Sequence, residues 1–275
     1  MAPPARKPKP QHALTVESTD RLGPHLVRIV FTGDSLADFG AAEFTDAYVK
    51  LLFVDPALGE PPYDLAGIRE SAPADLQPVT RTYTVRAIDR TARRLTIDFV
   101  THGDTGCAGP WAIGARPGDR AVLLGPGGGY SPDPTVDWHL LAGDLSATPA
   151  IAAALEALPS SAKGVALLEM EADADVLDLT APEGVEVSWL VNPDTDDVAF
   201  LARAVDAAAW PRDVAKGAVQ IFAHGERESI KAVRRVLKQR EVPREAISIS
   251  GYWARGRTED AFQAEKRTPV GKIED

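Results

Sequence analysis

The chain has 275 residues, 44% of them apolar and 25% charged, with a formal net charge of −10 and a single cysteine. That length allows two domains, or one large one, with a real core either way, and the negative balance argues against nucleic acid or an anionic membrane as the main partner. The lone Cys107 excludes an intramolecular disulfide and any multi-cysteine iron–sulfur or zinc centre.

Residues 1–10 hold four prolines and no apolar run behind their basic side chains. They read as a disordered, solvated arm, since a secretory signal needs such a run. No segment approaches the roughly 20 apolar residues of a membrane span, so a soluble, cytoplasmic protein is expected.

Six short segments follow with the alternation and β-branched content of strands: His12–Ser18, Leu26–Thr32, Ala47–Val54, Arg81–Asp89, Arg94–Thr101 and Asp119–Gly125. They predict a six-stranded antiparallel β-barrel over residues 11–132. The stretch from Pro56 to Pro78 holds five prolines and reads as a surface loop. The Gly125–Tyr130 run lacks the following helix that a nucleotide fingerprint requires, and reads as a flexible loop.

Past the linker Ser131–Thr135 the rhythm changes. Strands at Trp138–Gly143, Gly164–Met170, Val185–Val191, Ala218–Ala223 and Ala246–Ser250 alternate with helices at Pro149–Leu158, Asp197–Ala209 and Glu226–Arg240. This pattern predicts a parallel α/β domain over residues 136–268. On the last helix, Lys231, Arg234, Arg235 and Lys238 read as solvated surface. A cleft between a barrel and such a domain is a natural ligand site.

Four groups of residues carry chemistry. On the strand Arg81-Thr82-Tyr83-Thr84, Arg81 and Tyr83 share a face. An arginine forks onto phosphate oxygens and a tyrosine offers an aromatic face. The turn His102-Gly103-Asp104-Thr105-Gly106-Cys107-Ala108-Gly109-Pro110-Trp111-Ala112 is rich in small residues, and opens a short helix whose N–H groups suit an anion. Pyrophosphate and flat ring together fit a flavin dinucleotide. Gly143-Asp144-Leu145-Ser146-Ala147-Thr148-Pro149 is the first strand-to-helix turn of the α/β domain, where nucleotides commonly sit. Gly251-Tyr252-Trp253-Ala254-Arg255-Gly256-Arg257 sets two aromatics and two arginines beyond the last strand. His12, His25, His102, His139 and His224 are scattered without metal-ligand spacing, and no nucleophile arrangement is visible.

In this order the motifs resemble the siderophore-interacting protein family, FAD-dependent ferric-siderophore reductases within the ferredoxin–NADP⁺ reductase-like superfamily, over about His12 to Glu265. The resemblance implies that Arg81 binds FAD phosphate and that Tyr83 and Thr84 border the isoalloxazine. It implies that the His102–Gly103 backbone and the turn through Ala108, Gly109, Trp111 and Ala112 hold the remaining ring edge and the pyrophosphate. Asp144, Ser146 and Ala147 would lie near the adenosine half, and Tyr252 and Trp253 would shield the cofactor. Lys50, Arg255 and Arg257 would face an anionic ferric siderophore, because Ala254 stands where the family commonly has arginine. Leu145, Ser146, Thr148 and Cys107 also depart from the family's usual residues.

Hard oxygen donors prefer Fe(III) strongly over Fe(II), so one-electron reduction loosens the complex. A flavin suits this task because it takes two electrons and releases them singly. No acid, base or nucleophile is needed, and none is assigned. The implied donor is NADH, NADPH or a ferredoxin, although Ala223-His224-Gly225-Glu226 replaces the Cys-Gly pair of relatives with efficient nicotinamide sites. A monomer is expected. The alternatives are an NAD(P)H–flavin oxidoreductase with another acceptor, or a flavin or siderophore carrier without turnover.

Overall fold

The structure, a computed structural model, describes residues 9–40, 44–103, 106–212, 219–266 and 268–273. Most of the expected N-terminal arm (residues 1–8), together with Asp104, Thr105 and Ala218, lies outside the described residues. The chain divides into two compact units. The first takes Met1–Arg21, Val27–Glu43 and Ala47–Gly128, and the second takes Leu22–Leu26, Phe44–Asp46 and Gly129–Asp275.

The first unit is a seven-stranded sheet of β1 (Gln11–Gly23), β2 (Leu26–Thr32), β3 (Tyr48–Phe53), β4 (Val79–Thr84), β5 (Ala87–Asp89), β6 (Arg94–Val100) and β7 (Arg120–Gly127), in the order β4-β3-β7-β1-β2-β6-β5. Seven strands replace the six expected because the segment Arg81–Asp89 is broken. Val85 N–H donates to Ala47 O and Arg86 N–H to Thr96 O, so adjacent residues bond to different parts of the sheet. The sheet curls enough for Tyr83 on its β4 edge to meet Phe99 on β6, with ring centroids 4.3 Å apart. Its core is built from alternate residues of these strands, among them Leu14, Ile29, Phe31, Val49, Leu51 and Ile97.

Two loop expectations need correction. The proline-rich stretch forms a short helix, α1 (Leu65–Ser71), whose first N–H groups are capped by Asp64. Tyr63 and Leu65 pack on Leu52, Val122 and Leu124, and Gln11 exchanges two hydrogen bonds with the Tyr63 backbone, at 2.7 and 2.8 Å. In the glycine run, Gly127 completes β7, where an added Cβ would sit 2.6 Å from the Tyr48 ring.

The second unit is a parallel sheet of β8 (Trp138–Asp144), β9 (Gly164–Met170), β10 (Val185–Val191), β11 (Val219–Glu226) and β12 (Ile247–Trp253), in the order β10-β9-β8-β11-β12. The helices α3 (Thr148–Ala157), α4 (Phe200–Ala207) and α5 (Arg227–Gln239) connect it, and α6 (Glu259–Glu265) follows the last strand. The basic side of α5 is not simply solvated surface: Arg234 is buried, and Lys231 Nζ donates to Val270 O at 2.9 Å. The C-terminal segment lies against that side, because Arg227 on α5 is paired with Glu265. Among the described residues no helix is long and apolar enough to cross a membrane.

Candidate functional site

In the antiparallel β3–β4 ladder Leu51 lies opposite Arg81, Val49 opposite Tyr83 and Lys50 opposite Thr82. Alternation therefore sends Arg81 and Tyr83 to the face that carries buried Val49 and Leu51, and Lys50 to the other face. Lys50 Nζ donates to Thr82 Oγ1 at 3.4 Å. Arg81 is half-buried, and its Nη1 donates to Thr80 O at 2.9 Å. Thr84 ends the strand, buried next to buried Val85.

Phe99 brings this strand and the glycine-rich turn together. Its ring lies 4.3 Å from that of Tyr83 and 5.8 Å from that of Trp111, on the short helix α2 (Ala108–Gly114). Trp111 also stacks with Phe31, centroids 6.3 Å apart and planes within 2°. Its ring therefore serves the core, and Ala108 and Ala112 are buried as well. Gly109 and Trp111 are both only partly buried. An added Cβ at Gly103, Gly106 or Gly109 would meet nothing within 4 Å, and the first two adopt φ of +58° and +79°. His102 is exposed beside them, next to buried Thr101. Asp98, in the same motif, is structural: its carboxylate accepts both Nε (2.7 Å) and Nη2 (2.8 Å) of Arg28 on β2.

In the second unit the predicted residues gather at the C-terminal ends of β8, β11 and β12. Asp144 accepts Ser146 N–H (2.9 Å) and Ser146 Oγ–H (2.5 Å) on Oδ1, and Glu226 N–H (2.7 Å) and Trp253 Nε1–H (2.8 Å) on Oδ2. Burial raises its pKa above the usual carboxylate value, against the opposing pull of those hydrogen bonds. Ala147 is fully buried. Tyr252 packs into the apolar cluster beside His224, while Trp253 turns to Asp144.

Glu226 is a site residue that sequence reasoning missed. One carboxylate oxygen caps α5 through Glu228 N–H and Ser229 N–H, and the other accepts Arg255 N–H at 3.0 Å. A glutamate is an unusual cap, so no local signal marks it. Ala254 is 2% exposed, so the position after Trp253 has no open space for a long cation. Arg255 lies 3.5 Å from Asp196 and Arg257 donates to Glu265 at 2.6 Å, so both cations have acidic partners. Among the described residues no cluster of His, Cys, Asp or Glu could hold a metal ion.

His224 has its ring 4.0 Å from that of Phe222 and its Nε2 3.0 Å from Ser248 Oγ. Burial, aided by the charge of Lys266, pushes its pKa down to about 3. The unfolded imidazole, with a pKa near ~6.5, thus takes up a proton that the folded one refuses as pH falls from ~6.5 towards 3. Stability is lost across that window on acidification. His224→Phe is expected to reduce the loss between pH 7 and pH 4 by about 3 kcal/mol, read from urea unfolding at both values. Equal losses in variant and wild type would show that the imidazole is not the acid-sensitive group.

The chain matches the sequence profiles of the siderophore-interacting FAD-binding domain over residues 15–130 and of the siderophore-interacting protein over residues 136–256. An uncharacterized protein of Mycobacterium tuberculosis H37Rv is 46% identical, covering 94% of this chain and 95% of its own length. The ferric vibriobactin reductase ViuB of Vibrio cholerae is 35% identical, with coverage of 88% and 89%. The NADPH-dependent ferric-chelate reductase of Escherichia coli is 28% identical, with coverage of 87% and 91%. Among solved structures, the siderophore-interacting protein SipS of Aeromonas hydrophila superposes with a TM-score of 0.78 at 29% identity, covering 94% of this chain and 97% of its own. Motif order, the antiparallel-then-parallel architecture and these matches agree, and the chain belongs to the siderophore-interacting protein family.

Proposed function

We propose that this protein is an FAD-dependent ferric-siderophore reductase, which delivers single electrons to siderophore-bound Fe(III) and so releases Fe(II) for assimilation. The observation that carries the reading is the bridge within the first unit from Tyr83, two residues from Arg81 on β4, through Phe99 to Trp111 on the helix that the glycine turn opens, with open space at Gly103, Gly106 and Gly109. Family membership and the reductase relatives support it.

These residues fit FAD. Arg81 supplies a forked donor for a phosphate, and Tyr83 and Thr84 supply the wall beside the ring. The His102–Gly103 backbone, with Gly109 and the start of α2, would hold the pyrophosphate, since there is open space beside Gly103 and Gly109. Bound FAD supplies the conversion between two-electron and one-electron chemistry. The protein's part is to hold it and to keep one edge accessible. Asp144, Ser146 and Ala147 act near the adenosine half through the shape of their turn, since the two polar side chains bond to each other. Tyr252 and Trp253 complete the second unit's aromatic wall. Lys50, Arg255 and Arg257 attract the anionic ferric complex, the two arginines by exchanging their present carboxylate partners for it. We place this activity in the cytoplasm, in a monomer, with NADH, NADPH or a ferredoxin as donor.

Protein reconstituted with FAD is expected to retain the flavin through gel filtration. Its spectrum should bleach on reduction and recover when a ferric siderophore is added. A retained flavin that recovers only with oxygen would make the protein a carrier or assign it another acceptor.

A further inference from the structure

Of the cations assigned to the ferric complex, Arg255 and Arg257 already have carboxylate partners and must release them to bind. Lys50 has no carboxylate partner among the described residues, and its ammonium donates to the neutral Thr82 hydroxyl. A second cation of the first unit shares that condition. Lys9 Nζ lies over the Tyr48 ring, 4.9 Å from its centroid, and it too has no carboxylate partner among the described residues. An aromatic face orients an ammonium without neutralising it.

The sheet fixes where that charge stands. Gly125 N–H donates to Pro10 O at 3.4 Å, and Gln11 then opens β1 opposite Leu124, so the backbone beside Lys9 is bound to β7. The Tyr48 ring is seated on Gly127, its partner across the β3–β7 ladder, where a Cβ would come within 2.6 Å of the ring. Across the β3–β4 ladder Tyr48 lies opposite Thr84, and Lys50 opposite Thr82. Residues opposite one another share a face, as do residues two apart on a strand. Tyr48, Lys50, Thr82 and Thr84 therefore share one face, and Lys9 lies over it at Tyr48. Tyr48 and Lys50 stand only about 7 Å apart along β3, so one ligand can meet both charges.

We infer that Lys9 is a specificity-determining residue, which with Lys50 presents a pair of unneutralised charges beside Thr84 and so favours anionic ferric complexes over neutral ones. This rests on the reductase reading, in which Thr84 borders the isoalloxazine and the iron complex approaches that edge. The chain's net charge of −10 opposes an anionic ligand, and a local pair of cations offsets that repulsion where the ligand docks. Iron(III) held by three catecholates is negative, whereas three hydroxamates cancel the metal's charge. Only the first gains from an added ammonium.

The test is titration calorimetry of the oxidised, FAD-loaded, full-length protein with two hexadentate probes, an iron(III) tris-catecholate and an iron(III) tris-hydroxamate. Lys9→Ala is expected to weaken the tris-catecholate about three- to fivefold at low salt, the scale of one exposed ion pair. Lys9→Glu turns attraction into repulsion and should weaken it about tenfold or more. Lys9→Arg keeps the charge and the ring contact, and should stay within about twofold of wild type. Added salt should shrink these differences, and the uncharged probe should move less than about twofold throughout. Lys238→Ala removes the same charge from the exposed side of α5, and should leave tris-catecholate binding within about 1.5-fold of wild type. Lys9 precedes β1 and lies outside the core, so its variants keep the fold.

The inference is overturned if Lys9→Ala binds the tris-catecholate as wild type does, or weakens both probes alike. An equal loss in Lys238→Ala overturns it too, as does a wild type that does not bind the tris-catecholate more tightly than the tris-hydroxamate. No electron moves in these titrations, so they stand apart from turnover. Reduction of the same complexes by chemically reduced wild type tests the reductase reading separately: charge-selective binding without reduction would keep the role of Lys9 and remove the electron transfer.

Discussion

Arg81→Ala is expected to weaken FAD binding by about 10- to 100-fold, the cost of one to two charge-assisted hydrogen bonds to a phosphate. The side chain is half-buried on β4 and its guanidinium is held by the neighbouring Thr80 carbonyl, so it is oriented before the ligand arrives. Pre-orientation keeps the entropic cost of binding low. Because Arg81 is not part of the buried core, its loss should not unfold the sheet. Lysine at this position should restore the charge but not the planar fork, and should recover only part of the affinity. Flavin fluorescence titration of the apoprotein reads all three proteins. An alanine variant that holds FAD as tightly as wild type would remove Arg81 from the site.

Glu226→Ala should destabilise the second unit by about 3 kcal/mol. Its carboxylate accepts three backbone N–H groups, two at the start of α5 and one at Arg255, and the residue is only 4% exposed. Loss of a helix cap costs about 1 kcal/mol, and an orphaned buried donor about 1–3 kcal/mol. For a unit of this size the melting temperature should fall by roughly 6–12 °C. Glu226→Gln keeps one acceptor oxygen and should fall between variant and wild type. Calorimetry decides the matter: a fall of under about 2 °C for the alanine variant would mean that water replaces the lost carboxylate. The same change frees the backbone of Arg255, so it should also weaken any role of that cation toward a ferric complex.

The parts of the fold that were legible in the sequence are those whose signals are local. Leu26–Thr32, Gly164–Met170 and Val185–Val191 run between the residues expected, because turn residues flank uninterrupted apolar or alternating segments. The break at Val85–Arg86 was not legible. It is caused by Ala47 and Thr96, which come from distant segments, and it shows only as two successive buried residues, Thr84 and Val85. The helix α1 was hidden by its prolines, although Asp64 two and three residues before Ala66 and Gly67 was a readable cap.

The same division holds for the candidate site. Arg81, Tyr83 and the glycine turn form contiguous motifs, and Phe99 bridges Tyr83 to Trp111 on the helix that the turn opens. The hub at the ends of the parallel strands is different. Asp144 and Trp253 are 109 residues apart, and Asp144 and Glu226 are 82 apart. No spacing rule connects them. Trp111 was expected to line the cofactor turn, but its place in the aromatic core depends on Phe31 and Phe99 arriving from other strands. The cations Arg255 and Arg257 were identified by type and position, whereas their carboxylate partners, Asp196 and Glu265, emerge only from the fold.

The proposed work of this protein is electron delivery from a bound flavin to chelated iron. The most direct measurement reduces the FAD-loaded protein anaerobically, adds a ferric siderophore with a ferrous chelator, and follows flavin and iron together. Prompt reoxidation is expected, with two Fe(II) captured for each reduced flavin, since each iron takes one electron. A flavin that stays reduced while the ferric complex remains intact would contradict it.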